Sequence, residues 1–342
     1  MLTALPALSA GASTNMHLPD GFLDAKTSVF SAAVAVAAVA VALREVRVST
    51  PPRQMPLLGL AAAFVFAAQM INFPILGGTS GHLIGGVLTA ALLGPSAAVL
   101  VMTCVLIVQC LMFADGGLLA LGANVFNMAL VNVGVGWLVF RALRRGLPMA
   151  ERRATVLAAA FAAWCGTVAT AVSCAGQLAL SGTVPWALGF PAIVNVHVVI
   201  GLGEGLITGL VLMAAMSARP ELVAANPGVG RAGRRSILAY GLLISAGLAV
   251  FVAPFACPWP DGLEKVAERL GFAHQAGPGV LAAPMPDYQI PFIGSATVAT
   301  AVAGLVGAAV AFGAAYALAR VLTPTLALKS GAGDATRIAH DE

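Results

Sequence analysis

Charge is what this 342-residue chain has least of: Asp, Glu, Lys and Arg make up 9% and aromatic residues 6%, against 59% hydrophobic residues. So small a polar complement cannot cover a water-soluble globule of this length, and it excludes a disordered chain equally. Lysine is scarcest, present only at Lys26, Lys265 and Lys329. A P-loop ends in Gly-Lys-Ser/Thr because lysine and backbone amides hold the nucleotide phosphates. Here the lysines follow Ala25, Glu264 and Leu328, so no Walker A site exists. The five cysteines, Cys104, Cys110, Cys165, Cys174 and Cys257, form no Cys-x-x-Cys pair and four sit inside apolar runs. That excludes a disulfide scaffold and a thiolate metal or redox motif, and leaves them as small core residues.

What the chain has is apolar length. The mean hydropathy is +0.93, and runs near the roughly 20 residues needed to cross hydrocarbon recur throughout. Punctuation by Gly, Pro and charge divides them into nine expected helices, at 28–43, 55–72, 82–93, 96–113, 118–140, 154–179, 193–216, 236–255 and 293–320. The third and fourth meet at Gly94-Pro95 and are read as a tight hairpin, since together they are too long for one crossing. The fold expected is an all-α polytopic membrane protein.

Basic residues orient it. If the segment before the first helix is outside, all of the 18 Lys and Arg except Lys26, Lys265 and Arg269 fall on cytoplasmic loops or the tail. This positive-inside bias predicts an outside N-terminus and a cytoplasmic C-terminus in the plasma membrane. The pI near 9.0 therefore reports topology and requires no nucleic acid. The run Pro220 to Arg235 reads as a cytoplasmic linker between seven helices and a two-helix C-terminal appendage, whose outside loop, Cys257 to Pro291, is rich in proline.

Two of the five histidines stand out: His17, in Met16-His17-Leu18-Pro19-Asp20-Gly21-Phe22-Leu23, and His82, in Gly78-Thr79-Ser80-Gly81-His82-Leu83-Ile84-Gly85-Gly86. Were Met16 the first residue of the mature chain, its amine, the His17 amide nitrogen and the His17 imidazole would chelate one ion in adjacent rings. His82 would add a fourth nitrogen. Four nitrogens in a plane suit Ni(II), Cu(II) or low-spin Co(II) better than Zn, which prefers a tetrahedron. Taken singly, each histidine is more often a loop polar group, and spacing alone does not carry the claim.

These two segments together resemble the signature of the CbiM/NikM family, substrate-capture subunits of energy-coupling factor transporters for cobalt and nickel. The resemblance runs through residues 16 to about 217 and takes in Asp115-Gly116-Gly117, Asn124-Val125-Phe126-Asn127-Met128 and His197-Val198-Val199-Ile200-Gly201. Residues 236 to 320 resemble the companion CbiN/NikN subunit, whose loop motif stands here as Pro260-Asp261-Gly262-Leu263-Glu264. The resemblance implies Met16, His17 and His82 as metal ligands, and nickel or cobalt as transported substrate rather than cofactor. Nickel is favoured by the Pro19-Asp20-Gly21 variant. It further implies a transmembrane coupling subunit and a pair of cytoplasmic ATP-binding-cassette ATPases as partners. The implied division is an extension at 1–15, a metal-binding domain at 16–217, a linker at 218–235, a two-helix domain at 236–322 and a tail at 323–342. In the family the amine ligand belongs to the first residue, so translation from Met16 is the expectation, with leader removal second.

Further candidates are read from the residues alone. Glu204 is the one acid deep in an expected span, seven residues after His197 and on the same helical face. It is a candidate for the ion pathway or for a hydrogen-bonded pair with His197. Asn72 is a candidate to support the metal loop. Asp261 and Glu264 could gather cations at an entrance or be solvated loop charges. Gly201, Gly205 and Gly209 form a small-residue ridge for close helix packing. Two rival readings remain. One is an intramembrane protease of rhomboid type, with Ser80 as nucleophile and His197 as base; the other is a self-contained secondary metal transporter, disfavoured by the lack of an evident internal repeat.

Overall fold

The computed structural model describes residues 17–218 and 231–321. Asp24 starts the first helix by accepting a hydrogen bond from the Thr27 amide at 3.0 Å, the usual way an orphan N–H is capped. The helix, α1 (Ala25–Ser49), rises about 37 Å over its 25 residues, enough to cross a bilayer's hydrocarbon core. Then come α2 (Met55–Gln69), a two-stranded antiparallel ribbon of β1 (Phe73–Ile75) and β2 (Thr79–Gly81), α3 (Gly86–Leu93) and α4 (Pro95–Phe113). A fifth span joins α5 (Leu121–Val125) to α6 (Asn132–Gly146) through a π-helical turn, Phe126–Val131. Next are α7 (Glu151–Leu180), α8 (Trp186–Ala218), α9 (Arg231–Gly247) with a π turn at Leu248–Val252, the short α10 (Gly262–Leu270) and α11 (Ala296–Val321).

Among the described residues, seven helical segments are long and apolar enough to span a membrane: Ala25–Ser49, Pro95–Phe113, Leu121–Gly146, Glu151–Leu180, Trp186–Ala218, Arg235–Phe255 and Ala296–Val321. Two of the nine expected spans fall short. With 15 residues, α2 is the shorter apolar helix, and most of it is buried between neighbours. Gly59 and Gly307 let α2 and α11 approach so closely that a Cβ at either would lie 2.9 Å from the Phe312 carbonyl oxygen or 2.0 Å from the Phe66 ring. The eight residues of α3 rise only about 12 Å.

The expected hairpin at Gly94-Pro95 is what the chain forms. Gly94 takes φ 89°, a region open to glycine, and Pro95 opens α4 where its missing donor costs nothing. The Gln69 amide bonds the Ile84 carbonyl, and the Gln109 amide bonds Gln69, both at 2.8 Å. In one continuous rod, Ile84 and Gln109 would stand nearly 40 Å apart; bridging both from one side chain requires α3 and α4 to fold back on each other.

The α7–α8 pair is glued by small residues. A Cβ on Gly205 would lie 2.7 Å from the Ala160 carbonyl oxygen, and one on Gly201 would lie 2.8 Å from the Trp164 ring. The glycine ridge therefore serves this internal packing, while Leu202, Leu206 and Leu210 point outward from α8. One end of the bundle carries Arg44, Arg47, Arg141, Arg144 and Arg145; the chain's His17, His82, Asp115 and Asp261 gather at the other.

Candidate metal-capture site

The segment that brings in His17 is held by its own motif residues. The Leu18 N–H donates to Asn124 Oδ1 at 3.0 Å and its carbonyl accepts from Asn124 Nδ2 at 3.1 Å, while the Gly117 N–H donates to the same carbonyl at 2.9 Å. Two residues on, the buried Asp20 carboxylate accepts three amides, from Leu118, Leu119 and Ala120, at 3.2, 2.8 and 3.2 Å. These are donors at the mouth of α5, where a carboxylate satisfies orphan N–H groups and the helix dipole together. The turn they make explains why that span starts at Leu121 rather than at the expected 118. Gly117 is obligatory beneath the clamp, for a Cβ there would fall 2.0 Å from Asp20 Oδ1.

His17, so delivered, is buried, with Nδ1 2.9 Å from Asp115 Oδ1. The second Asp115 oxygen accepts the Tyr288 hydroxyl at 2.7 Å. Burial disfavours a charge on His17, but the Asp115 carboxylate more than reverses this and holds the imidazole above its ordinary pKa. Burial likewise opposes the Asp115 charge, and His17 and Tyr288 together keep its carboxyl below the ordinary range. With Nδ1 on the carboxylate, Nε2 of His17 is buried and has no hydrogen-bond partner among the described residues. The His82 ring stands edge-on to it, centroids 5.6 Å apart. His82 Nδ1 lies 3.0 Å from the Leu83 carbonyl oxygen, which only an N–H can satisfy, so the lone pair of the neutral ring sits on Nε2. A cavity of about 70 Å³ touches both imidazoles and also His197 and Asp261.

Glu204 fixes the loop that presents His82. Its carboxyl accepts the Ile84 N–H at 2.6 Å and the Gly85 N–H at 3.0 Å. Gly85, at φ 81°, is the N-cap of α3, so Glu204 caps α3 from a neighbouring helix. This is why residues 82–85, expected to be helical, are not. Glu204 does not pair with His197, whose Nδ1 lies instead 2.8 Å from the Ile193 carbonyl oxygen.

The C-terminal domain closes over the same loop. Ser80 donates its hydroxyl to the Trp259 carbonyl at 2.7 Å and its amide to the Pro260 carbonyl at 2.8 Å; the Asn72 carbonyl accepts the Cys257 amide at 2.9 Å. Ser80 and His197 share no hydrogen bond among the described residues, and a serine committed to main-chain carbonyls is a tether, not an activated nucleophile. Asp261 caps α10 by accepting the Glu264 amide at 2.7 Å; burial pushes its carboxyl up to about 8. Gly262 lets this turn settle on α8, where a Cβ would lie 2.8 Å from Ile200 and 3.2 Å from the His197 ring. Glu264 borders a larger cavity of about 500 Å³ that also touches His17, Asp20 and Glu268.

His17 and His82 thus come together, with Asp261 and His197 beside them and Ser80, Asn72 and Glu204 in supporting places. Met16 lies outside the described residues, as do the 1–15 extension, most of the linker and the tail. Among the described residues no three His, Cys, Asp or Glu converge as a ligand set. A four-coordinate ion here needs donors other than these side chains, such as main-chain nitrogens. Sequence reasoning missed Tyr288 altogether and saw Asp20, Asp115 and Asn124 only as parts of a resemblance. Asp20-Gly21 and Asp115-Gly116-Gly117 were the available signal, since an acid beside glycine marks close backbone approach.

Two imidazoles converging beside a buried carboxylate in a polytopic helical bundle suit a transition-metal ion, and the family match makes the chain a membrane subunit for transition-metal uptake. The chain belongs to the CbiM family, matching "cobalt uptake substrate-specific transmembrane region" over residues 17–222, and a PDGLE domain follows at residues 235–324. It is 31% identical over 330 residues to the fused nickel transport protein NikMN of Rhodobacter capsulatus, covering 86% of this chain and 94% of that one. It is also 31% identical over 289 residues to the cobalt transport protein CbiM of Geobacter sulfurreducens, covering 79% and 82%. A crystal structure of a truncated transition metal transporter superposes with a TM-score of 0.54 at 35% identity, over 59% of this chain and 99% of the other.

Proposed function

We propose that this chain captures Ni(II), and Co(II) as the second choice, through Met16, His17 and His82, for import driven by ATP on other chains. The observation that carries the reading is the convergence of His17 and His82 at 5.6 Å, on segments locked by Asn124, Asp20 and Glu204. A chelate using the Met16 amine, the His17 amide nitrogen and the imidazole closes a six-membered ring only through Nδ1. The ion would then take Nδ1 from Asp115, and His82 Nε2 would complete a plane of four nitrogens. The site end faces the outside and the arginine end the cytoplasm, in keeping with the positive-inside rule. Domain limits follow the sequence reading: 16–217 for capture, 218–235 as linker and 236–322 for the two-helix domain. With no Walker A of its own, the chain works with a transmembrane coupling subunit and an ATPase pair.

The test is loading of the membrane-purified chain with mixed Ni, Co, Cu and Zn, followed by intact mass, N-terminal sequence and elemental analysis. One Ni or Co per chain beginning at Met16, lost in His17→Ala and His82→Ala, is the expected result. Undiminished metal in His82→Ala, correctly inserted, would overturn the assigned site.

A further inference from the structure

The C-terminal domain reaches the capture site through one side chain that the sequence reading did not single out. Tyr288 lies between α10 and α11, more than 170 residues from Asp115, yet it donates its hydroxyl to Asp115 Oδ2 at 2.7 Å, and Asp115 Oδ1 holds His17 Nδ1 at 2.9 Å. The phenol is buried, stacked on Phe113 with centroids 4.7 Å apart and planes 15° from parallel. The Met285 amide ties the same loop to the Met112 carbonyl at 3.0 Å. Asp287 and Tyr288 both hold positive φ, at 53° and 56°. Two successive L residues in that region are unfavourable and persist where surrounding contacts over-determine them.

We propose that Tyr288 is a positioning residue for metal capture, acting on His17 through Asp115, so that the two-helix domain sets the affinity of the metal site. The proposal rests on the reading that His17 is a ligand. Before loading, Asp115 divides its oxygens between Tyr288 and His17. When an ion takes Nδ1, the carboxylate gives up its bond to the ring, and the Tyr288 bond remains to hold it. Without the hydroxyl, capture would leave a buried carboxylate short of that donor, and before capture Asp115 would be held less firmly, so the ring it bonds would be less tightly oriented. A group bonded directly to a ligating side chain changes metal affinity by about 10- to 100-fold, and Tyr288, one bond further out, belongs at the lower end of that range.

The experiment compares full-length wild type with Tyr288→Phe, which keeps the stack on Phe113, in Ni(II) and Co(II) titrations across pH. The apo melting temperature and the visible absorption of the bound ion are read alongside. Affinity about tenfold weaker in Tyr288→Phe, with a displaced pH midpoint and altered ligand-field bands, supports the proposal. Native affinity and native bands overturn it, as does a lowered apo melting temperature with affinity unchanged, the mark of a purely structural tyrosine. Failure of the wild type to bind either ion overturns the capture reading as well, and is told apart because it appears without any substitution. Should Tyr288→Phe fail to insert, 3-fluorotyrosine at 288 keeps shape and stacking while altering the donor. A changed affinity again supports the role, and an unchanged one refutes it.

Discussion

Glu204 offers the sharpest test of how the His82 loop is held. Its two oxygens accept the Ile84 and Gly85 amides at 2.6 and 3.0 Å, and the carboxyl is fully buried. Glu204→Gln keeps one acceptor and turns an NH₂ toward the other amide, leaving one buried donor unsatisfied at a cost of about 1–3 kcal/mol. Glu204→Ala strands both donors, for about 2–6 kcal/mol before any cavity cost. Ile84 and Gly85 are buried, so the loop must shift to find partners, and His82 shifts with it. If as little as about 1.4 kcal/mol of that cost falls on the bound arrangement, nickel affinity drops about tenfold. The assay is nickel titration of purified, correctly inserted protein, with apo melting measured in parallel. The expected order is wild type above Glu204→Gln above Glu204→Ala in both readouts. Native affinity and melting in Glu204→Ala would refute the argument and return Glu204 to the ion pathway.

Other substitutions probe other joints. Gly117→Ala places a Cβ 2.0 Å from Asp20 Oδ1, so the Asp20 clamp opens; bound nickel, counted by elemental analysis, should fall well below one per chain. Ser80→Ala removes a tether to Trp259 and should weaken uptake by no more than about tenfold, since a hydrogen bond of this kind is worth about 0.5–1.5 kcal/mol; complete loss would revive a chemical role for the hydroxyl. Asp261→Asn bears on pH. An acid whose pKa rises from 3.8 unfolded to about 8 folded stabilises the fold relatively at low pH and withdraws that stability as pH climbs between the two values. Apo wild type should therefore lose melting temperature from about pH 4 toward pH 8, and Asp261→Asn, which can still cap α10, should show a flatter profile. Equal slopes would show that Asp261 is solvated.

Hydropathy made most of the bundle legible, because an apolar run of spanning length leaves a lone helix few alternatives. It misjudged α2 and α3, whose residues are as apolar as any span. The ribbon and the non-helical 82–85 loop stand where helix was expected, and only Glu204, remote in sequence, reveals that the loop is not helix. The proline-rich Cys257–Pro291 loop hid α10, since nine amphipathic residues are too few to stand out. At the site, His17 and His82 were visible because each sits in unusual local sequence. The link from Asp115 to Tyr288 was not, because it is a contact across 173 residues that no local pattern encodes. Glu204 was noticed for the right reason, an acid in an apolar span, and given the wrong partner, because helical spacing identifies a shared face but not what lies opposite it.

The contacts of the C-terminal domain bear on why the two parts share one chain. Its loop does not merely lie over the first domain. The Cys257 amide meets Asn72, the Trp259 and Pro260 carbonyls take Ser80, the Met285 amide meets Met112 and Tyr288 takes Asp115. Four of these bonds use main-chain groups of the loop, which tolerate side-chain change but not displacement. Two of them attach beside the paired histidines: Ser80 stands two residues before His82, and Asp115 bonds His17 itself. A loop bound at so many points must either be in place when the ion arrives or close as it binds, and limited proteolysis distinguishes the two. If the loop is in place beforehand, cleavage within 273–284 should be equally slow with and without nickel. Closure on binding predicts cleavage that is fast in apo protein and suppressed by nickel in proportion to occupancy. Protection should then fail in His82→Ala, where the ion does not bind. Rapid cleavage in both states would mean that the domain leaves the site unguarded, and the hydrogen bonds drawn from Trp259, Pro260 and Tyr288 would not govern capture.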